Sequence, residues 1–309
     1  MNTQSSSSEP RTEEISCNLC GGRSTRVRFE ALEGWPVSGD GHYAATTDKY
    51  GAYGRVVECR DCGLVYTNPR VAASELLDEY EKTKDEDYFS EAEARSMNAY
   101  LSIAVIRRFL ANGRLLDVGC STGFFLNAAR LSFEVEGVEP SRWAREFARE
   151  KLKLKVDHTT LDEAKFPDGR FDAVTLNDVI EHVPDPLSLL KEVHRITRPG
   201  GIIYVMTPDI DSLSAKLLGG RWWGLRPAHI YYFSTDTLTD LLEKAGYERL
   251  FAGSYGRIFT WGYWLSRLSN YPRPIRRLVE LLVDGLGIRE KFLYLDTRDS
   301  VQIVARKKG

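Results

Sequence analysis

The chain has 309 residues, enough for two ordinary domains or one large domain with attachments, and its 42% hydrophobic and 28% charged residues match a soluble average. A formal charge of -2 excludes a partner recruited by bulk charge alone. The densest apolar patch, Phe259 to Leu268, contains Arg267 and falls short of the ~20 residues that cross a bilayer, so a cytoplasmic protein with reduced thiols is expected.

The first fourteen residues, MNTQSSSSEPRTEE, are polar and serine-rich and read as a disordered tail. Four of the five cysteines follow in two pairs, Cys17-Asn-Leu-Cys20-Gly and Cys59-Arg-Asp-Cys62-Gly. Thiolates two residues apart can grip one face of a metal, and the glycine behind each pair (Gly21, Gly63) frees the backbone to turn. Two such knuckles complete a tetrahedral four-sulfur site, so a structural zinc ion on Cys17, Cys20, Cys59 and Cys62 is expected, with no open position for catalysis. From Arg11 to Arg70, eight basic residues face eight acidic ones, which argues against nucleic acid as a partner. His42 reads as a surface loop residue rather than a fifth ligand.

Beyond a charged helical connector from Ala72 to Asn112, strands and helices alternate. Strands are expected at Arg114–Gly119, Glu134–Glu139, Leu154–His158, Phe171–Asp178 and Gly201–Thr207. Ser141 can cap a helix with Trp143, Ala144, Phe147 and Ala148 on one stripe, and Asp185-Pro186 can start another carrying Leu189, Val193 and Ile196 inward. Strict alternation implies an α/β fold with a doubly wound, Rossmann-like parallel sheet, whose ligands lie beyond the carboxyl ends of the strands.

The stretch LLDVGCSTGFF, residues 115 to 125, supplies such an end. Its turn, Gly119-Cys120-Ser121-Thr122-Gly123, lets a ligand lie against the main chain, and the next helix offers unpaired N–H groups to an anionic group. Twenty-two residues after Asp117 stands Glu139, where a carboxylate can accept both hydroxyls of a ribose. A dinucleotide enzyme needs G-x-G-x-x-G, whereas these glycines are spaced G-x-x-x-G.

In these residues, and in FDAVTLNDVIEHVPDP (171 to 186) and RPGGIIYVMTP (198 to 208), the chain resembles class I S-adenosylmethionine-dependent methyltransferases. The resemblance implies that Asp117, Gly119, Cys120 and Gly123 meet the methionine part of S-adenosylmethionine, that Glu139 holds the ribose, that Leu161 flanks the adenine and that Asn177 faces the methyl. With its four-cysteine module the layout is similar to that of zinc-containing sugar C-methyltransferases. That likeness implies a sugar or glycan-type acceptor, with His182, His229 and Tyr88 in the active site and one of the histidines as base. His158 and His194 read as solvent or helix-face residues. Competing readings are a nucleotide-cofactor oxidoreductase or epimerase on a similar sheet and a non-catalytic, zinc-organised binding protein.

The expected plan is a tail at 1–14, a zinc module at 15–70, a connector at 71–112, a methyltransferase domain at 113–256 and 295–309 closed by an antiparallel hairpin, and a helical insertion at 257–294. The hairpin strands are expected at Glu248–Tyr255 and Ser300–Arg306, after a helix from Thr235 to Ala245. The insertion opens with Phe259, Trp261, Tyr263 and Trp264 and carries Arg267, Arg273, Arg276 and Arg277 with no acid from Gly262 to Val279. An apolar stripe of Ile275, Leu278, Val279, Leu282 and Val283 follows. Packing on the core, a homodimer contact, or a peripheral membrane contact through 259–283 are all open readings.

Overall fold

In Arg114–Val118 the residues Leu115, Leu116, Asp117 and Val118 are all buried, as in a strand covered on both faces. A computed structural model describes residues 10–32, 34–36, 53–82, 91–267 and 273–308 and places this strand inside the main sheet. The chain runs through β1 (Thr12–Glu13), β2 (Thr25–Phe29), β3 (Val56–Cys59), β4 (Val65–Thr67), β5 (Arg70–Val71), α1 (Ala73–Lys82) and α2 (Ala92–Ile106). It continues with β6 (Arg114–Val118), α3 (Phe124–Ala129), β7 (Glu134–Val138), α4 (Arg142–Glu150), β8 (Val156–His158), α5 (Leu161–Ala164), β9 (Phe171–Asn177), α6 (Pro186–Ile196) and β10 (Thr197–Pro208). Last come α7 (Leu213–Leu218), β11 (Tyr231–Tyr232), α8 (Thr235–Lys244), β12 (Tyr247–Ser254), β13 (Arg257–Thr260), α9 (Trp261–Ser266), α10 (Arg273–Gly285), β14 (Phe292–Leu295) and β15 (Ser300–Lys307).

The seven-stranded sheet has the order β12-β15-β10-β9-β6-β7-β8, parallel from β10 to β8 and antiparallel where β15 meets β10 and β12. This is the expected doubly wound, Rossmann-like sheet with an antiparallel closing hairpin. Alternate residues feed two cores. Leu115, Ala173 and Tyr204 pack with α2, α3 and Ala148 of α4, while Leu116, Val174 and Val205 pack with α6, α8 and the cysteine-bearing segment. Ser141 Oγ accepts from the Ala144 N–H and Asp185 Oδ1 from the Ser188 N–H, so both helix starts lie where their caps put them. The inward stripe of α6 is Leu190, Val193 and Ile196; Leu189 is only half-buried and lines the cavity described below.

A second, four-stranded sheet has the order β11-β4-β3-β2. Its outer strand, β11, comes from the segment between β10 and β12 of the main sheet: Tyr231 pairs with Tyr66 and Tyr232 with Val65, and the Thr67 N–H donates to the Ile230 carbonyl at 2.9 Å. The knuckles are tied down as well. Asn18 donates to Asp185 Oδ1 at 2.8 Å and accepts from the Leu187 N–H at 2.9 Å, and the Lys244 ammonium donates to the Leu19 carbonyl. Thr12 and Glu13, expected in a tail, form β1 against β5, where Arg70 reaches Glu13 at 2.9 Å and Arg11 reaches Glu75 at 3.0 Å.

The insertion is not purely helical, because β13 and β14 close it as a hairpin, with Arg257 opposite Leu295 and Thr260 opposite Phe292. Asn98 of α2 binds both backbone groups of Ile258, donating to its carbonyl at 2.8 Å and accepting from its N–H at 2.7 Å. Glu91 holds Thr260 through its hydroxyl at 2.7 Å and its N–H at 3.2 Å. Asn98→Ala leaves the Ile258 N–H and carbonyl without partners, a loss of about 1–3 kcal/mol. The expected result is faster amide exchange across 257–295, with β6 and β9 amides unchanged, read by hydrogen-exchange mass spectrometry.

Candidate functional site

The carboxyl ends of β6 to β10 open into one cavity of about 840 Å³. Asp117, Gly119, Cys120, Glu139, Leu161 and Asn177 line one part of it; His182 and His229 line another. Gly123 is part of the same turn. Gly119 and Gly123 have φ of 70° and 84°, and added Cβ atoms would lie 2.7 Å from Val179 Cγ2 and 2.5 Å from Leu154 Cδ1, so neither position has room for a side chain.

Glu139 fixes the turn. One oxygen accepts from the Ser121 N–H and the other from the Ser141 N–H, both at 2.7 Å, leaving each a further lone pair for a ligand hydroxyl. Burial raises the Glu139 carboxyl above the usual range. Asp117 Oδ1 accepts from Thr175 Oγ1 at 2.7 Å and Asn177 Nδ2 at 3.1 Å, yet burial pushes its pKa up to about 7. Asn177 thus holds Asp117. Cys120 is buried with its sulfur toward Gly137, and burial holds it as a thiol, which suits a turn filler rather than a nucleophile. Buried Thr122 Oγ1 has no hydrogen-bond partner among the described residues.

Glu181, His182 and His229 meet on the other side, where one ligand atom from each lies within 4.8 Å of the others. The rings of His182 and His229 are 4.7 Å apart, edge to face. His229 Nδ1 is 2.8 Å from the Gly224 carbonyl. A carbonyl only accepts, so Nδ1 carries the proton and Nε2 keeps its lone pair. His182 Nδ1 likewise faces the Ala228 carbonyl at 2.9 Å, with Tyr80 Oη 2.7 Å away. Burial lowers the His182 pKa to about 4 and moves His229 well below the ordinary value, while burial raises Glu181 to about 8. Near neutral pH all three are uncharged.

Sequence reasoning missed several wall residues. Tyr80 comes from α1 of the connector; Tyr88 and His42 lie outside the described residues. Asp178 holds φ 52° and takes both guanidinium nitrogens of Arg257 at 2.8 and 3.0 Å. Phe259, Tyr263, Trp264 and Arg267 of the insertion line the cavity, so the aromatic cluster considered for membrane contact faces inward at these positions. His158 packs edge-on against Phe166, and His194 stands on α6 against Tyr247, away from the site.

The profile of the methyltransferase domain family matches residues 92–250, just over half of the chain. The chain belongs to that family. Residues 92–250 form a class I S-adenosylmethionine-dependent methyltransferase domain. Among its relatives, a ubiquinone biosynthesis O-methyltransferase of Ruegeria pomeroyi is 35% identical over 154 residues, 46% of this chain and 62% of that protein. One from Cereibacter sphaeroides is 30% identical over 197 residues, 60% of this chain and 78% of that protein. More than a third of the first relative is therefore unmatched.

Asp117 gives a signed pH dependence. A carboxyl raised to about 7 when folded favours the native state below its unfolded pKa of about 3.9, and this is lost as pH rises toward the folded value. The ligand-free methyltransferase is expected to lose Tm between about pH 4 and 7 on this account, and Asp117→Asn to flatten that slope, as scanning calorimetry of both proteins would reveal.

Proposed function

We propose that this methyltransferase methylates a hydroxyl of a small, ring-bearing acceptor, with His229 as the general base. One observation carries the reading: a buried, neutral imidazole donates from Nδ1 to the Gly224 carbonyl and keeps its Nε2 lone pair in the cavity that also holds Asp117 and Glu139. S-adenosylmethionine, when bound, supplies an electrophilic methyl on a sulfonium. The residues present suit it: the glycine turn leaves bare backbone, Asp117 and Asn177 stand by the turn for the amino-acid end, Glu139 has lone pairs for ribose hydroxyls, and Leu161 offers an apolar face for adenine.

The chain's own groups then position the acceptor and move one proton. Tyr80, Trp223, Tyr255, Phe259, Tyr263 and Trp264 surround the remaining volume with aromatic faces, which stack on the apolar side of a sugar. His229 Nε2 takes the hydroxyl proton, and Glu181 beside it supplies counter-charge when it ionises. His182, held by Ala228 and Tyr80, positions the pair. A carbohydrate-type acceptor is the first reading. An acceptor of ubiquinone biosynthesis, methylated on oxygen, is the second, favoured by the names of the two relatives and by the same aromatic walls.

We also propose one structural zinc ion on Cys17, Cys20, Cys59 and Cys62. Two sulfur pairs stand 3.4 and 3.5 Å apart, and all four sulfurs lie within 4.8 Å of one another. Gly21 and Gly63 take the left-handed conformation the knuckles need, with φ of 81° and 77°. Burial pushes the Cys17 thiol up to about 11, whereas the Cys20 thiol is lowered, with the Gly22 N–H and the neighbouring thiols as hydrogen-bond partners. Four protein sulfurs leave no position for water or substrate.

His229→Asn can keep the hydrogen bond to Gly224 but cannot accept a proton; turnover is expected to fall about 10²–10⁴-fold while calorimetric affinity for S-adenosylhomocysteine stays near wild type. Undiminished turnover removes His229 from the role. For the metal, plasma emission spectrometry is expected to find one zinc per native chain and none in a Cys20→Ser/Cys59→Ser variant, whose Tm drops.

A further inference from the structure

We propose that α10 docks the methyltransferase on an anionic membrane surface through a face of leucines. Leu278, Leu281, Leu282 and Leu286 are 60%, 65%, 56% and 70% exposed, although all four stand on or just after a single thirteen-residue helix. At 100° per residue they share an arc of about 140°. Val283, 2% exposed, lies outside that arc and anchors the helix to the body.

The charges beside this face have one sign left over. Arg276 is paired with Glu280 at 2.7 Å and Asp284 with Arg289 at 2.7 Å. Arg273 and Arg277, both exposed, have no acidic partner among the described residues, and Arg277 adjoins the leucine arc. Leucines flanked by unmatched arginines complement acyl chains beneath anionic headgroups.

A second copy of this chain suits the face less well. The exposed leucine area comes to roughly 450 Å², about half of the ~800 Å² per partner that a stable protein interface buries. A bilayer needs no such area, because side chains enter it one by one. The position is also apt for chemistry at a membrane. Helix α10 packs on α9, which supplies Tyr263 and Trp264 to the cavity wall and is followed there by Arg267. Docking would therefore hold the cavity beside the lipid surface, whatever the acceptor.

Flotation of the full-length, zinc-replete protein tests this, with vesicles of phosphatidylcholine containing about one-third phosphatidylglycerol at low salt. Native protein is expected to float with these vesicles and to be released by added salt. Leu278→Ser/Leu282→Ser and Arg273→Ser/Arg277→Ser are each expected to weaken vesicle binding at least about tenfold, with Tm and S-adenosylhomocysteine affinity unchanged. Native protein that stays at the bottom overturns the proposal, as does equal flotation on pure phosphatidylcholine. So does a dimer, seen by sedimentation, that the leucine variant dissolves, which would assign the face to a second copy.

Discussion

Tyr231 and Tyr232 follow His229 by two and three residues, and their backbone groups are engaged in a ladder with Val65 and Tyr66 of the cysteine-bearing segment. The same stretch is held from the other side, since the Ile230 and Tyr231 N–H groups both donate to the Glu181 carbonyl. The loop that presents His229 therefore hangs between a small sheet stapled by thiols and the end of β9. Disturbing either support moves the imidazole. The four-cysteine segment thus reaches the cavity through backbone pairing, since the strand it aligns begins two residues after His229.

What could be read from sequence was local. The turn after β6, the caps at Ser141 and Asp185 and the cysteine spacing each depend on partners a few residues apart, so their signals survive in one chain. The histidine wall could be named residue by residue but not assembled. Tyr80 meets His182 across 102 residues, Arg257 meets Asp178 across 79, and β4 meets β11 across more than 160. Burial likewise separated Leu190 from Leu189 on α6, because both fit an amphipathic stripe to within one residue. The insertion misled for the same reason: Arg257–Thr260 finds its ladder partner only at Phe292–Leu295, beyond two intervening helices.

Electrostatically, the two walls share one condition. Burial keeps Asp117 near pKa 7 and Glu181 near 8, and it also holds both histidines neutral, so the empty cavity carries little net charge on these groups. The ion pair of Asp178 with Arg257 is internally compensated. A positive charge placed beside these carboxyls would favour their ionised forms, the opposite of what burial does to them.

The segment that walls the acceptor side leaves the sheet after β12 and returns at β15, two strands that are hydrogen-bonded neighbours. Its ends thus emerge side by side from the most stable kind of support, a paired edge. Swapping its length or composition would alter the shape of the chamber while sparing the glycine elbow and its acids. Such an arrangement decouples two walls of one chamber, since the graft point of one lies outside the strands that carry the other.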